Sequence, residues 1–207
     1  MIAKEGGLRR EFIGDALDHW KGSLIRFLES ESLLENLAVV PMITDDLPWG
    51  DADISLYSRL LNAIGNKRIL LSVKSFSGER RNYFTAVRHT GDLFLDPDTG
   101  IATGAANRQH VEAADLKLLA DLDERRRRLL IIYQHASRED FRKRVKVIAG
   151  HVLNQVNRIH CTTYEGRQVA MLFFLYSGQR ITEVNRAFQR FLGESFSFRS
   201  RLFIKSE

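Results

Sequence analysis

Apolar residues recur along the chain in two alternating patterns. Between 17 and 28 they follow a helical spacing, whereas 69–73 (ILLSV) and 92–96 (DLFLD) are short, nearly uninterrupted apolar runs. The first spacing is that of an amphipathic helix, and the second is typical of strands that are buried on both faces of a sheet. The chain therefore alternates helices with short strands.

Extended along the whole chain, this pattern predicts five helices and six strands. The predicted helices cover 15–34, 53–64, 111–124, 137–156 and 181–193, and the predicted strands cover 37–43, 69–73, 92–96, 129–133, 168–176 and 195–205. The segment YFTAVRH at 83–89 fits an additional strand. No internal repeat or linker interrupts the alternation. It predicts an α/β fold, a single three-layer domain over 1–207 with a central, mostly parallel sheet flanked by helices.

Size and composition agree with one folded domain. A chain of 207 residues with 44% hydrophobic residues and three prolines can bury one large core and is too short for two ordinary domains. It has no apolar run of the roughly 20 residues that cross a bilayer, and its first residues lack a signal-peptide core. These features predict a cytoplasmic protein without a membrane partner. The single cysteine, Cys161, is expected to be a small buried hydrophobe.

Positive charge is concentrated in blocks. The formal net charge is only +5, but basic residues run together before and after the predicted strand at 129–133. Such blocks favour a polyanion, because each Lys or Arg that docks on a phosphate releases counterions. The candidate DNA-binding residues are Arg125, Arg126, Arg127, Arg128, Arg142, Lys143, Arg144 and Lys146.

The segment LFLDPDTG ends a predicted strand with two carboxylates. Pro97 cannot donate to a sheet and favours an extended Asp96, so the strand should end here, and Thr99 with Gly100 supplies a turn. Ligands of open α/β sheets bind at the carboxyl ends of the strands. Asp96 and Asp98 are therefore the candidate catalytic residues, and both are expected to face one pocket.

Two further segments carry candidate substrate-binding residues. In GDALDHWKG, Asp15 is placed to cap a helix, and Asp18 lies one helical turn from Lys21. In YQHAS, which follows the strand at 129–133, an aromatic ring, an amide that can read a base edge and an imidazole come together. The six candidates are Asp15, Asp18, Lys21, Tyr133, Gln134 and His135.

The absence of several known motifs reduces the number of candidate functions to four. The chain has no GxGxxG, GxxxxGK[ST] or GxSxG, and no HxE with a downstream PCxxC. A carboxylate pair beside a basic surface suits base excision, in which an acid stabilises an oxocarbenium-like cation. It also suits Mg²⁺-dependent phosphodiester cleavage, with Lys21 or Lys74 orienting water, and methyl transfer to a base. The fourth function is a non-enzymatic DNA-binding module in which the aspartates are structural.

The methyl-transfer alternative is carried by a resemblance. FLDPD resembles the (D/N)PP(Y/F) site of amino-methyltransferases, and GDALDHWK resembles the GNHADVLKH region of an rRNA adenine methyltransferase family. Where the methyl-donor loop of those enzymes would follow the first strand, residues 41–53 contain one glycine and no GxG. This departure counts against methyl-donor binding.

Taken together, GDALDHWKG, FLDPDTG and YQH resemble a small family of prophage- and defence-associated bacterial proteins that includes anti-phage DNA glycosylases. The chain is also loosely similar to uracil-DNA glycosylases, although it lacks their GQDPYH and HPSP motifs. The resemblance implies removal of a modified base, such as glucosylated hydroxymethylcytosine, from double-stranded phage DNA without a metal or cofactor. It does not say whether Asp96 or Asp98 acts on the sugar.

Overall fold

The fold is described by a computed structural model for residues 13–44, 49–62, 68–69, 80–87, 89–123, 127–135 and 140–204. The helices are α1 (Ala16–Ser30), α2 (Asp51–Leu60), α3 (Arg80–Thr85), α4 (Ala113–Asp121), α5 (Phe141–Gln155) and α6 (Gly178–Leu192), with a 3₁₀ helix at Glu194–Arg199. The strands are β1 (Ala38–Val40), β2 (Arg68–Ile69), β3 (Leu93–Leu95), β4 (Gly100–Ile101), β5 (His110–Val111), β6 (Leu130–His135), β7 (His160–Glu165), β8 (Val169–Leu175) and β9 (Ser200–Phe203).

Seven strands of the described chain form the central sheet, in the order β2-β1-β3-β6-β8-β7-β9. Neighbouring strands from β2 to β6 are parallel, and the three remaining pairings are antiparallel. Five strands consequently point one way, whereas β8 and β9 point the other way. The predicted, mostly parallel central sheet is confirmed in this sense. β4 and β5 form a separate parallel pair.

Helices cover both faces of the sheet, which gives the predicted three layers. The apolar cluster on one face joins sheet residues such as Leu95 and Ile132 to α3, α4 and α5. The cluster on the other face joins Phe94 and Ile131 to α1, α2 and α6. Adjacent strand residues thus enter opposite cores, which explains why the inner strands read as continuous apolar runs.

The edge of the sheet at the carboxyl ends of β3 and β6 gathers the polar segments. β3 ends at Leu95, and the Asp96 amide still donates to the Val40 carbonyl, so the strand ends where Pro97 predicts. α1 begins at this edge with Asp15 as its N-cap, whose carboxylate accepts from two backbone amides of the first turn. Gly14 before it has a φ of +94°, a backbone conformation that favours glycine.

Three sequence predictions about elements are wrong in detail. Part of 83–89 lies in helix α3 rather than in a strand, and Tyr83 and Phe84 are buried beside α4. The strand predicted at 195–205 is reduced to β9, because the residues before it form the 3₁₀ helix. β6 extends through His135, so the YQH residues lie in the strand and not in a loop after it.

Other predicted elements are confirmed with shifted ends. The helix predicted at 111–124 begins only at Ala113, since His110–Val111 pairs as β5. Of the run at 69–73, Ile69 alone lies within the described residues, and it belongs to β2. None of the helices in the described ranges combines the length and the apolar character that spanning a bilayer requires.

Candidate functional site

The three sequence motifs meet at one cavity on the carboxyl edge of the sheet. It has a volume of about 190 Å³, and its walls come from the start of α1, the loop after β3 and the end of β6. Pocket sites for drug-sized ligands span about 300–1,000 Å³. This cavity therefore fits a group of the size of one small ring. It is lined by Asp15, Leu17, Asp18, Lys21, Asp96, Pro97, Asp98, Tyr133 and His135.

A buried lysine lies between two carboxylates at the floor of this cavity. The Lys21 Nζ donates to Asp96 Oδ2 at 2.8 Å and to Asp18 Oδ1 at 3.1 Å. Asp18 Oδ2 also accepts from the Gly14 amide, and the Lys21 ammonium lies 4.4 Å from the centroid of the Tyr133 ring. The shared face predicted for Asp18 and Lys21 is confirmed, and it points inward. All three charged side chains are at least 96% buried.

The pKa values of Lys21, Asp96 and Tyr57 in this cluster all lie above their ordinary values. Burial lowers the pKa of Lys21, but Asp96 and Asp18 raise it, and the result lies above the ordinary value. Burial raises the pKa of Asp96, against the opposing effects of Lys21 and of the Tyr57 hydroxyl. Tyr57 donates to Asp96 Oδ2 at 2.6 Å, and burial with the adjacent carboxylate raises the pKa of its phenol well above normal. Lys21 is therefore a cation at neutral pH.

Asp96 does not face the opening of the cavity as the sequence predicts. Its side chain is completely buried, and Lys21 and Tyr57 both donate to its Oδ2. The other oxygen, Oδ1, has no hydrogen-bond partner among the described residues, and the same is true of the Tyr133 hydroxyl. Both residues line the cavity, and the two unpaired atoms are themselves buried.

Asp98 is the partly exposed carboxylate of the pair. It stands two residues beyond Asp96 on the same loop and lines the cavity. The residues after Asp98 are held by the Gln134 side chain of β6. Its Oε1 accepts from the Ile101 backbone amide at 2.8 Å, and its Nε2 donates to the Thr99 carbonyl at 2.9 Å. Gly100, with a φ of +105°, allows this close approach, since a Cβ there would lie 2.3 Å from Gln134 Oε1.

The candidate substrate-binding residues divide between the cavity and its frame. The Gln134 side chain is buried and engaged by the loop backbone, so the prediction that it reads a base edge is wrong, and it positions the Asp98 loop instead. Asp15 lines the cavity while it caps α1. His135 is exposed at the end of β6, and Tyr133 presents its ring beside Lys21.

The basic candidates within the described residues lie at two opposite edges of the sheet. Arg127 and Arg128 precede β6 and are therefore remote from the cavity, and Arg128 is buried, donating to the carbonyls of His89, Gly91 and Leu119. The expectation of a DNA-facing Arg128 is wrong, because those carbonyls take up its guanidinium. Arg125 and Arg126 lie outside the described residues, as does Lys74. The α5 candidates begin beside the cavity edge: Arg142, Lys143 and Lys146 are exposed, and Arg144 is half-buried.

The carboxylates at the cavity are not arranged as metal ligands. Among the described residues, no group of three or more His, Cys, Asp or Glu side chains could hold a metal ion. Asp18 and Asp96 bind the Lys21 ammonium, which already supplies the positive charge that a cation would bring.

Tyr57 is the site residue that sequence reasoning missed. It lies on α2, 39 residues before Asp96, and no local motif surrounds it. The available signal was its place within a helix whose other residues are mostly polar, since a buried tyrosine normally seeks a partner for its hydroxyl.

The site stands without support from known proteins. Comparisons with protein-family models, with curated proteins and with solved structures each gave no match.

Proposed function

We propose that this protein is a DNA glycosylase that removes a modified base from phage DNA and leaves an abasic site, as part of antiviral defence. The observation that supports it best is the convergence of GDALDHWKG, FLDPDTG and YQH on one small cavity that holds a partly exposed carboxylate beside a buried cation. These are the motifs on which the resemblance to anti-phage glycosylases depends.

Asp98 is the carboxylate proposed to act on the sugar. A base flipped from the duplex would enter the cavity, and the bond between C1′ and the base nitrogen would break with its electron pair leaving on the base. Asp98 would stabilise the positive charge on the sugar and accept a proton from the water that adds to C1′. That proton would then pass to the departing base anion, which restores the carboxylate. The products are the free base and an abasic strand. At an effective dielectric of about 20, a unit charge pair at 4 Å contributes about 4 kcal/mol.

Lys21 and Asp96 have supporting roles in this proposal. Lys21 lines the cavity, where its ammonium would offset the negative charge of Asp18 and Asp96 that a departing base anion would otherwise meet. Asp96 holds Lys21 in place through the ion pair between Lys21 Nζ and Asp96 Oδ2. The small volume implies that a glucosyl substituent would project outside the cavity, so glucosylated and plain hydroxymethylcytosine are both test substrates.

The test measures base release directly. Purified protein is incubated in EDTA with glucosylated, hydroxymethylated and unmodified DNA, and mass spectrometry identifies released bases while alkali reveals abasic sites. We expect Asp98→Asn to lower the rate at least about 100-fold, as loss of a general base typically does, with unchanged DNA binding. The control is Asp51→Asn, which removes an exposed carboxylate from the first turn of α2 and should release bases at the wild-type rate.

Several outcomes would overturn the proposal. Base release by Asp98→Asn at the wild-type rate would remove Asp98 from the chemistry. Strand breaks that require Mg²⁺ would identify a nuclease, and tight binding of a methyl donor in calorimetry would identify a methyltransferase. DNA binding with no product from any substrate would leave the non-enzymatic module.

A further inference from the structure

Exposed phenylalanines and arginines cluster at the same edge of the sheet as the cavity. The Arg142 guanidinium lies 4.4 Å from the centroid of the Phe198 ring, and the Arg201 guanidinium donates to the Arg142 carbonyl. Phe196 and Phe198 are 51% and 46% exposed, and their rings are 6.4 Å apart. We name this surface the Arg/Phe patch, made of Arg142, Lys143, Phe196, Phe198, Arg199 and Arg201.

The strand register places this patch beside the cavity. Tyr133 on β6 pairs with Met171, which pairs with Tyr164, which pairs with Ser200 at the start of β9. The 3₁₀ helix that precedes Ser200 thus lies at the edge where β3 and β6 end. Four strand spacings of about 4.8 Å separate β3 from β9, so the patch is about 19 Å along the edge from the Asp96 loop.

The charge of the segments that build this surface is strongly positive. Residues 140–147, 165–167 and 194–201 carry seven basic and three acidic side chains. One of the acids, Glu165, is buried and bonded to Arg201, and another, Asp140, caps α5. An anionic partner would therefore meet a net excess of cations, chiefly Arg142, Lys143, Arg144 and Lys146.

Exposed rings within a cationic surface suit unpaired nucleotides. Successive bases of a single strand stack on aromatic side chains while the backbone follows basic groups, whereas a closed duplex hides the faces of its bases. We propose that the Arg/Phe patch binds an unpaired stretch of nucleic acid, by stacking of bases on Phe196 and Phe198 and by contacts of Arg142 and Lys143 with phosphates. This inference rests on the proposed function in one respect only, namely that the strand bound by the patch is the strand whose base enters the cavity.

The binding experiment separates stacking from charge. Fluorescence anisotropy measures binding of the 207-residue chain to a single-stranded oligonucleotide and to its duplex. The oligonucleotide has about 20 nucleotides, longer than the roughly 4–16 that a single-strand-binding fold covers. We expect Phe198→Ala to raise the Kd for the single strand roughly 5- to 150-fold, the usual loss for one stacked base. Because Phe198 carries no charge, the slope of log K against log salt should not change. Arg142→Ala should instead reduce the slope by about 0.7, the value for one phosphate on a single strand.

Matched controls and opposing outcomes complete the design. Phe191→Ala removes another exposed phenylalanine, one that stacks on Phe27 of α1, and Arg190→Ala removes an exposed arginine paired with Glu31. Both should bind the single strand as the wild type does. Equal loss with Phe198→Ala and Phe191→Ala, or tighter binding of the duplex than of the single strand, would overturn the inference. So would a wild-type dimer in sedimentation that Phe198→Ala dissociates, since the patch would then bind a second copy of this chain.

Failure of this inference and failure of the proposed function give different results. Asp98→Asn should bind the single strand normally, because Asp98 belongs to the cavity. Normal binding by Phe198→Ala together with base release by the wild type would overturn only the role of the patch. Weakened binding by Phe198→Ala without base release from any DNA would overturn only the glycosylase.

Discussion

Lys21 concentrates the electrostatics of the cavity in one residue. Its ammonium pairs with two carboxylates, one from its own helix and one from the loop after β3, 75 residues away. Removing one member of a buried ion pair leaves an uncompensated charge in the interior. A stability measurement on Lys21 therefore reports whether this cluster is built as described.

We expect Lys21→Met to lower the free energy of unfolding by about 3–5 kcal/mol at neutral pH, the usual loss for a broken buried pair. The pKa of Lys21 is raised above 10.5, so the folded protein holds this proton more tightly than the unfolded chain. Its contribution is complete below pH 10.5 and is lost as the pH rises through the raised pKa. At strongly alkaline pH the difference in the free energy of unfolding between the wild type and Lys21→Met should therefore be smaller than at neutral pH. Urea denaturation at the two pH values measures it.

The matched control is Lys117→Met, since Lys117 forms an exposed pair with Asp121 on α4. Its effect should stay within about 1 kcal/mol at every pH, because water screens such pairs. A difference for Lys21→Met that is equally large at neutral and strongly alkaline pH would show that the loss comes from packing and not from the ammonium.

At the scale of elements, α1 and α2 cross so closely that only glycine fits between them. A Cβ on Gly22 would lie 1.8 Å from the Leu60 carbonyl oxygen, a backbone atom that moves only if α2 moves. Gly22 follows Lys21 directly, and α2 carries Tyr57, so this crossing joins the two helices whose side chains donate to Asp96.

Two glycine substitutions should therefore change stability in opposite directions. Gly22→Ala should destabilise the protein by about 1–3 kcal/mol through overpacking at the crossing. Gly150→Ala on α5 should stabilise it by about 0.5–1 kcal/mol, because nothing lies within 4 Å of its Cβ position and alanine favours a helix. Thermal or urea denaturation measures both. Equal effects of the two variants would contradict the close crossing.

Element prediction succeeded where pattern and packing agree. β3 ends just before Pro97, and α1 starts after the Asp15 cap. Both boundaries depend on residues at the boundary itself, a proline that cannot donate to a sheet and a carboxylate that accepts from backbone amides. β7 was missed because its inward residues include Thr162 and Thr163, whose hydroxyls bond to Asn185 and Glu165 inside the fold. A strand whose buried positions are polar carries no apolar signal.

The location of the site could be predicted from sequence, but the contacts within it could not, because those contacts join residues far apart in the chain. The rule that ligands bind at the carboxyl ends of strands predicted from sequence alone that Asp98 and His135 lie at one edge, and the structure adds Lys21 from the start of α1. Which carboxylate is buried depends on Tyr57 and Lys21 reaching Asp96 across many residues. Likewise, Gln134 is engaged by the loop because Gly100 lets the backbone approach, a tertiary contact that spacing does not encode.

At the scale of the whole molecule, Arg180 ties separate elements together at the edge opposite the cavity. Its guanidinium pairs with the buried carboxylate of Asp92 just before β3. It also donates to the carbonyl of Leu33, after α1, and to that of Arg127, before β6. If residues 1–207 form one domain, loss of this contact should destabilise every layer equally.

This prediction can be read with two probes. Both tryptophans of the chain, Trp20 and Trp49, pack in the layer of α1, α2 and α6, whereas far-ultraviolet circular dichroism reports all helices. In the wild type the two urea transitions should coincide, as expected for a two-state domain. Arg180→Met should lower the free energy of unfolding by about 3–5 kcal/mol with either probe, because it leaves Asp92 buried without its cation. The two urea transitions should still coincide.

Arg190→Met on the same helix is the control, since Arg190 and its partner Glu31 are exposed. Its effect should lie within about 0–1 kcal/mol. A fluorescence transition that separates from the dichroism transition, in the wild type or in Arg180→Met alone, would show that the α1, α2 and α6 layer unfolds by itself. The cavity would then be built by a layer that opens independently of the sheet, because α1 carries Asp18 and Lys21 while β3 leads into Asp96 and Asp98.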